Sequence, residues 1–189
     1  AKSSALGWSE TMSGVNWMHL AGNVAGSDVG YYFPGGTSVK GLREAKSGAL
    51  SDMTHSTNVD TTTYTRNYMT LWYDHGVDPG TGTNPLGSYA YVLLPNMTAS
   101  QVSAYATSPN ISVLENSDDA QGAKENTLNI TGANFWKDQI KKVGIIQANR
   151  KSSIMTREIA GNKLEVSISD PTMENHGTID VEISKSTTT

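Results

Sequence analysis

The sequence predicts an all-β protein, and three observations carry that prediction. Ser, Thr, Gly and Asn replace part of the charged and apolar residues found in an average globular domain. Runs of aromatic, aliphatic and β-branched residues are separated by segments rich in Gly, Pro, Asn and Asp, as strands are separated by turns. Late runs alternate apolar with polar residues, which is the period of a half-buried strand.

Residues 66–95 contain the strongest strand signal. The arms RNYMTLWYDHG and SYAYVLLP flank a loop at 77–87 that is rich in Gly and Pro, so we predict that the two arms pair with each other as antiparallel strands. On the first arm, one face carries Tyr68, Thr70 and Trp72, and the opposite face carries Met69, Leu71 and Tyr73. Because neither face is plainly polar, we expect these strands to be covered on both sides within a large assembly of stacked sheets.

The chain before this region contains two further predicted strands. They cover residues 15–20 and 29–33, and the motif Pro-Gly-Gly at 34–36 is expected to end the second one. Residues 40–47 are predicted to be extended, and the polar segment 54–65 is predicted to be mostly loop.

A short helix is predicted after residue 97. Thr98 or Ser100 is a suitable N-cap, Val102 and Tyr105 form one apolar stripe, and the helix should end before Pro109. We place a domain boundary at this helix.

The remaining chain is predicted to form a small β-sandwich. Its strands are expected at residues 111–114, 127–131, 143–148, 153–158, 163–169 and 178–184. The last two strands should each have one buried face, formed by Leu164, Val166 and Ile168 and by Ile179, Val181 and Ile183. The predicted organisation is therefore a part of a large β-sandwich at 1–96, a helical linker at 97–109 and a small sandwich at 110–189.

Composition excludes several classes of function. A net charge of −4 argues against a nucleic-acid partner, which needs a basic footprint. The longest apolar runs fall well short of the roughly 20 residues of a membrane span, so no membrane partner is expected. The chain has no Cys, its His residues lack metal-ligand spacing, and its Asp residues lack the spacing of a calcium loop. No cofactor is therefore expected.

The densest positive cluster of the first domain is formed by Lys40, Arg43 and Lys46. Such a cluster would attract an anionic polysaccharide, and Arg can bind a carboxylate through two parallel hydrogen bonds. The alternative is a solvated strand edge in which Glu44 is the internal partner. Arg66, at the head of the central arm, has the same two interpretations.

Aromatic and histidine residues give further candidates. Trp8 is flanked by Gly and Ser, so a loop position and stacking on a sugar ring are expected. Four other aromatic residues lie within strands and are predicted to be core, namely Trp17, Tyr31, Tyr32 and Trp72. Asp74 and His75 sit at a strand end beside Gly76, where a structural turn is favoured over a catalytic pair. His19 is predicted to be an interior histidine with a hydrogen-bond partner.

A series of motifs resembles one enzyme family. VNWMHLAG, GYYFPGG, KGLREAKSG, NYMTLWYDHG, SYAYVLLPNM, ANFW and SISDPT occur in the order found in family 8 polysaccharide lyases, a family of hyaluronate, chondroitin AC and xanthan lyases. The first two motifs are most similar to the xanthan-cleaving branch. The resemblance implies the C-terminal β half of such an enzyme, in which residues 1–96 end the central supersandwich and 110–189 form the terminal sandwich.

The resemblance also implies a function and its limits. Family 8 lyases are secreted bacterial enzymes that cleave uronate-containing polysaccharides by β-elimination, and their catalytic groups lie in an N-terminal helical toroid. No catalytic residue is therefore assigned to this chain, which is expected to be a piece of a longer product. It would scaffold the helical catalytic domain of the same protein and line the cleft for the acidic polysaccharide. Two alternatives stay open: a separate carbohydrate-binding module and a structural β-sandwich of a surface protein.

Overall fold

The computed structural model describes residues 1–83 and 86–185, and it confirms an all-β, antiparallel fold. The strands of the first part are β1 (Ser9–Leu20), β2 (Val29–Gly48), β3 (Tyr64–Trp72) and β4 (Val92–Pro95). One helix, α1 (Ala99–Thr107), follows. The strands of the second part are β5 (Ile111–Asn116), β6 (Ala120–Glu125), β7 (Ile130–Phe135), β8 (Lys141–Val143), β9 (Ile146–Ala148), β10 (Ser152–Ile159), β11 (Lys163–Ser169) and β12 (Val181–Ile183).

The chain divides into two compact units. The first unit consists of Ala1–Met18 and Gly35–Tyr89, and the second consists of His19–Pro34 and Ala90–Thr189. The dividing line therefore passes through β1 and β2. The domain boundaries that we predicted at residues 96 and 109 follow the order of the sequence, and they remain a prediction.

The predicted pairing of the two central arms with each other is wrong. In the described residues, β3 pairs antiparallel with Lys40–Gly48 of β2, and β4 pairs antiparallel with Val29–Tyr32 of the same strand. The reason is the length of β2, which has 20 residues. A strand of that length has room for two partners placed end to end, so a long loop between the arms does not have to close a hairpin.

The predicted end of the second strand at Pro34 is also wrong, because β2 continues through the Pro-Gly-Gly motif and includes the extended segment predicted at 40–47. Gly35 and Gly36 both have positive φ, of 78° and 73°, a conformation open to glycine at little cost. A Cβ atom on Gly36 would lie only 2.7 Å from the side-chain oxygen of Asn16. The two glycines therefore let the strand deform locally while its pairing continues.

The first unit leaves much of its sheet exposed. Met12 and Val39 are buried, but Tyr68 on β3 is 50% exposed and Trp72 is 38% exposed. Trp17 on β1 is exposed as well. The expectation that both faces of this region are covered, and that Trp17 and Trp72 are core residues, is therefore wrong for this chain. An apolar pattern shows that a face is suited to burial, but it does not say which chain supplies the covering layer.

Helix α1 of the second unit begins as predicted. Thr98 is the N-cap: its Oγ1 accepts a hydrogen bond from the backbone N of Gln101, and Oε1 of Gln101 accepts one from the backbone N of Thr98. This reciprocal pair is a capping box. Val102 on the helix is fully buried and approaches Gly30 so closely that a Cβ atom there would lie 2.3 Å from its Cγ2.

The second unit contains a β-sandwich with a closed core. One sheet has the strand order β11-β10-β7-β6-β5, and the other has the order β12-β9-β8. Buried side chains from both sheets meet between them, namely Ala120, Ala133, Phe135, Val143, Ile146, Ala148 and Ile154. This confirms the small sandwich that the late alternating runs predict.

Three details of this sandwich differ from the sequence prediction. Residues 143–148 are not one strand, because Gly144 has φ of 58° and turns the chain between β8 and β9. Strand β6 was not predicted, since its sequence AQGAKE lacks β-branched and aromatic residues. Val181 and Ile183 pack against the core as predicted, whereas Val166 and Ile168 on the edge strand β11 are exposed.

Candidate functional site

One face of the first unit combines aromatic rings with positive charges. Side chains alternate along β3, so Tyr64, Arg66, Tyr68, Thr70 and Trp72 lie on the same face. On β2, the residues directly opposite Arg66, Tyr68 and Trp72 are Lys46, Glu44 and Lys40. We call this surface the aromatic–cation face.

Three of the five predicted substrate-binding residues lie on this face. They are Lys40, Lys46 and Arg66, and Lys46 is directly opposite Arg66. Arg43 lies on the other side of the sheet, because a spacing of three residues in a strand changes the face. The predicted cluster of Lys40, Arg43 and Lys46 is therefore divided between the two faces.

Trp8 and Arg43 occupy the second face of this sheet. Trp8 precedes β1 in an irregular segment, and its backbone O accepts a hydrogen bond of 2.8 Å from the backbone N of Arg43. Its indole ring lies over Gly41, where a Cβ atom would be 2.8 Å from two ring carbons. Trp8 is half-buried in this position. The Nε atom of Arg43 is buried and has no hydrogen-bond partner within residues 1–83 and 86–185.

Two of the cations on the aromatic–cation face are paired with carboxylates of this chain. Nζ of Lys40 lies 2.5 Å from Oδ2 of Asp74, and Nζ of Lys46 lies 3.0 Å from Oε1 of Glu44. The hydrogen bond from Lys40 lowers the pKa of Asp74, and a second hydrogen bond, from the backbone N of Gly76, acts in the same direction. Both pairs are exposed, so each contributes little to stability.

Arg66 is held differently. Its Nη1 donates to the backbone O of Thr65 at 2.9 Å, and its guanidinium carbon lies 5.5 Å from the centre of the Tyr64 ring, which is a cation–π distance. Among the described residues it forms no ion pair. The Tyr64 hydroxyl donates to Oδ2 of Asp60 at 3.1 Å, so the ring beneath the guanidinium is fixed. Hydrogen bonds from Thr62 and then from Tyr64 lower the pKa of Asp60.

This arrangement is suited to binding an acidic sugar. Exposed aromatic rings present the flat apolar surfaces on which sugar rings stack, and a guanidinium without a carboxylate partner presents a fork of donors to a uronate carboxylate. Within the part of the chain that the structure describes, no three His, Asp or Glu side chains are grouped closely enough to hold a metal ion.

Asp74 and His75 lie at the end of β3 beside the Gly76 turn, and each side chain contacts neighbouring residues of the chain. Asp74 contacts Lys40 and the backbone of the Gly76 turn. The ring of His75 packs against the rings of Tyr73 and Tyr89, with centres 6.2 and 6.4 Å away. The two neighbouring side chains are therefore engaged with different partners.

His19, in the second unit, has the predicted partner. Its Nε2 lies 2.9 Å from Oδ2 of Asp28, and the backbone N of Gly22 donates to Oδ1 of the same carboxylate at 3.0 Å. The hydrogen bonds from Gly22 and then from His19 lower the pKa of Asp28. The pair closes the turn between β1 and β2.

Sequence reasoning missed Tyr64 as a site residue and assigned Tyr68 to a covered strand. The signal was present in the alternation Tyr-Arg-Tyr-Thr-Trp on β3, in which aromatic residues share a face with a charged residue. A face that includes Arg66 is suited to contact with a charged partner, whereas a face of rings alone is suited to a core.

α1 has nine residues, and no helix in the described ranges combines the length and apolar character that a membrane crossing requires.

The antiparallel sheets and the aromatic–cation face define a β-sandwich protein with a surface suited to sugars. Residues 1–106 match the model of the polysaccharide lyase family 8 super-sandwich domain, and residues 112–178 match that of the family's C-terminal beta-sandwich domain. The chain belongs to polysaccharide lyase family 8, as its motifs predicted.

Two proteins with similar sequences are lyases, as expected for this family. The chain is 50% identical over 188 residues to a xanthan lyase of Bacillus sp. (strain GL1), an alignment that covers 98% of this chain and 20% of that protein. It is 31% identical over 165 residues to a hyaluronate lyase of Thermasporomyces composti, covering 87% of this chain and 19% of that protein. The chain thus spans about a fifth of the length of these relatives.

Solved structures agree with this assignment. A Paenibacillus xanthan lyase superimposes with a TM-score of 0.88 at 56% identity, covering 98% of this chain and 17% of that one. A Streptomyces coelicolor A3 chondroitin AC lyase, solved with chondroitin sulphate, gives a TM-score of 0.65 at 30% identity, covering 88% of this chain and 21% of that one.

Proposed function

We propose that this chain is the β-sheet part of a secreted, extracellular lyase that cleaves xanthan, an acidic polysaccharide that contains uronate, by β-elimination. The observation that carries the proposal is the identity of 50% with a xanthan lyase across 98% of the chain. The identity with the hyaluronate lyase of T. composti is lower, at 31%. The difference favours xanthan over hyaluronate as the substrate.

The proposed role of the chain is to scaffold a helical catalytic domain of the same protein. β-Elimination requires a group that neutralises the carboxylate, a base within reach of the C5 proton, and an acid for the leaving oxygen. His19 is engaged with Asp28, and His75 with the rings of Tyr73 and Tyr89. These structural partners support assigning the catalytic groups to the part of the enzyme outside this chain.

The chain also lines one wall of the substrate cleft under this proposal. Arg66 is the cation of the aromatic–cation face that forms no ion pair among the described residues, Tyr68 is the next residue on the same face of β3, and Trp72 is exposed further along that face. A uronate carboxylate would meet the guanidinium, and the sugar ring would lie against an aromatic side chain.

A chimeric enzyme tests the proposed activity. This chain would replace the matching 188 residues of the Bacillus sp. (strain GL1) xanthan lyase, and the rise in ultraviolet absorbance from unsaturated uronate would be followed with xanthan, hyaluronate and chondroitin. We expect the largest initial rate with xanthan. A folded chimera that produces no unsaturated uronate from any of the three would refute the proposal.

The role of Arg66 is tested in the same chimera. Arg66→Gln should lower kcat/KM for xanthan about tenfold, mainly through KM, because a charge-assisted hydrogen bond to the substrate is lost. The matched control is Arg157→Gln on β10, which removes an exposed Arg from the second unit and should leave both constants unchanged. Equal constants for the two variants would exclude Arg66 from the cleft.

The second candidate is a separate carbohydrate-binding module, which the exposure of Tyr68 and Trp72 favours. The two candidates differ in the lyase rate of the chimera. A separate binding module would contribute nothing to that rate, whereas a scaffold gives an active chimera.

A further inference from the structure

The outer face of the five-stranded sheet of the second unit contains a groove of about 580 Å³. Residues of this sheet alternate between the core and the outside, so that Ala133, Phe135 and Ile154 face the core while Gly132, Asn134 and Ser153 face outward. We call this depression the outer groove. Its volume lies within the range of roughly 300–1,000 Å³ typical of ligand sites.

The groove exists because small and large side chains lie next to each other in register. Strand pairing places Val113, Ala123, Gly132 and Met155 side by side across β5, β6, β7 and β10. Val113 and Met155 are exposed and form two apolar walls, and Ala123 with Gly132 forms the floor between them. A Cβ atom added to Gly132 would have no heavy atom within 4 Å, so the space above the floor is open.

A row of polar side chains lies beside this floor at the next outward-facing register position. Pairing aligns Gln121, Asn134, Ser153 and Ser169 across four strands. With adjacent strands ~4.8 Å apart, the row is ~14 Å long. A short oligosaccharide has a comparable length.

Two amides in this row are oriented by their neighbours. Nε1 of Trp136 donates to Oε1 of Gln121 at 3.0 Å, and Oγ of Ser153 donates to Oδ1 of Asn134 at 2.7 Å. Each amide oxygen is therefore engaged. Within the described residues, the two amide nitrogens have no protein acceptor. Because the hydrogen bond to each amide oxygen fixes the orientation of the amide, the nitrogens of Gln121 and Asn134 are oriented donors.

The groove is close to neutral. Glu115 is the charged residue among those that line it, and its Oε1 lies 3.1 Å from Nζ of Lys141. Apolar walls, a floor of small residues and uncharged amide and hydroxyl groups complement a ring that has apolar C–H surfaces and several hydroxyl oxygens. A protein partner would be favoured instead by a cluster of aromatic or Arg anchors, and the lining of this groove contains none.

We propose that the outer groove is a binding site for an uncharged sugar segment of a polysaccharide. The inference rests on one part of the proposed function, namely that the substrate of the protein is a polysaccharide. A sugar ring lies on Ala123 and Gly132 between the two apolar walls, and its hydroxyl oxygens accept hydrogen bonds from Gln121 and Asn134. Recognition is by neutral groups, in contrast to that of the aromatic–cation face.

Isothermal titration of the 189-residue chain tests this site with three probes: cellohexaose, maltohexaose and hexagalacturonate. We expect at least one of the two neutral hexasaccharides to bind with an affinity that does not change between low and high salt, because no ion pair is formed. The acidic hexamer should bind the groove at least tenfold more weakly. Failure of both neutral probes to bind would overturn the inference.

The site is located by two Tyr substitutions on the same sheet. Gly132→Tyr places a ring over the floor, at a position where φ is not positive and an added Cβ atom has no heavy atom within 4 Å, and it should weaken binding at least tenfold. Val166→Tyr adds the same ring on the opposite face of β11, at an exposed position, and should bind as the unmodified chain does. Thermal melting curves of both variants establish that they are folded.

A third variant tests the oriented amide. Gln121→Met keeps the length of the side chain and removes the donor, and it should weaken binding about tenfold. If Gly132→Tyr binds as tightly as Val166→Tyr, or Gln121→Met as tightly as the unmodified chain, the groove is not the site.

Failure of the two proposals is distinguishable. If the chimera cleaves xanthan but the 189-residue chain binds no neutral hexasaccharide, only the proposal of the outer groove as a sugar site is overturned. Binding to the groove together with an inactive chimera overturns the proposed lyase activity alone.

Discussion

The two compact units of this chain have similar strand patterns and different interiors. In the second unit, side chains of two sheets meet in a closed core, where Phe135 is 2% exposed and Ile146 is fully buried. In the first unit, Tyr68 and Trp72 remain exposed on a paired strand. The difference teaches that alternating apolar residues indicate which face of a strand can be buried. Whether it is buried depends on a second layer, which, within residues 1–83 and 86–185, the second unit supplies for itself and the β3 face of the first unit lacks.

The largest effect on stability is expected from a large-to-small substitution in the core of the second unit. Phe135→Ala removes a buried ring between the two sheets and should lower the free energy of unfolding by about 3–5 kcal/mol. Leu128→Ala is the control at an exposed position of the same unit, with an expected change within about 0.5 kcal/mol. Urea unfolding followed by circular dichroism measures both. Similar losses for the two variants would mean that the second unit has no specific core.

In the first unit, a larger side chain at a closely packed glycine should be destabilising. A Cβ atom on Gly41 would lie 2.8 Å from the Trp8 ring and 3.2 Å from Cε of Met69. Gly41→Val should therefore displace the indole, cost about 1–3 kcal/mol of stability, and shift the tryptophan emission to longer wavelength. Gly132→Val, at a strand glycine with open space, is the matched control and should cause neither change. An unchanged emission spectrum for Gly41→Val would show that Trp8 does not pack there.

A smaller effect is expected at the N-cap of α1. Thr98→Ala removes one half of the capping box and should lower the free energy of unfolding by about 1 kcal/mol. Thr107→Ala, in the last turn, loses only a hydroxyl that donates to the Ser103 carbonyl, so a smaller loss is expected. Thermal unfolding compares the two. A larger loss at Thr107 would contradict the capping role.

A pH-dependent contribution is expected from Asp170 in the loop after β11. Hydrogen bonds from Thr172 and Asn175 lower the pKa of this carboxyl from 3.8 to about 2. Because its pKa is lower in the folded state, ionised Asp170 stabilises the fold above pH 4, and this contribution is lost as the pH falls through 2. The carboxyl lies in a surface loop and is only partly buried, so the effect is expected to be smaller than the loss of the cap.

Asp170→Asn provides the measurement. The melting temperature of the variant should be lower than that of the unmodified chain at pH 6, and the difference should shrink as the pH falls from 4 to 2. A difference that persists unchanged at pH 2 would assign the effect to shape rather than to charge.

The smallest effect in the isolated chain is expected at the aromatic–cation face. Tyr68→Thr replaces one good strand former by another at an exposed position, so the change in stability should be within about 0.5 kcal/mol. In the chimeric enzyme, the same substitution should cost about 1.5–3 kcal/mol if the rest of the enzyme covers the ring. Equal effects in the two proteins would show that this face stays uncovered.

Much of the fold follows from local signals. Thr98 is one of the two N-caps predicted for α1, since Thr and Ser both favour that position, and β11 is recognised because its residues alternate strictly. The pairing partners of β3 and β4 were not predictable in this way. Their shared partner depends on the length of β2, and its Pro-Gly-Gly motif has the composition of a turn.

The candidate sites were predictable only in part. Lys40, Lys46 and Arg66 were identified from their charge, but the position of Arg43 on the other face requires the strand to continue without interruption. The outer groove was not predicted at all. Its floor of Ala123 and Gly132 depends on the register between β6 and β7, and β6 has too few strand-forming residues to be recognised.

The position of β11 at the edge of the five-stranded sheet has a further consequence. Among the described strands β11 pairs with β10 alone, and its Val166 and Ile168 are exposed. An edge strand with apolar side chains and backbone groups available for pairing is a template for strand addition. Concentrated solutions of the isolated chain should therefore self-associate through β11, and a Lys substituted for Val166 should raise its solubility.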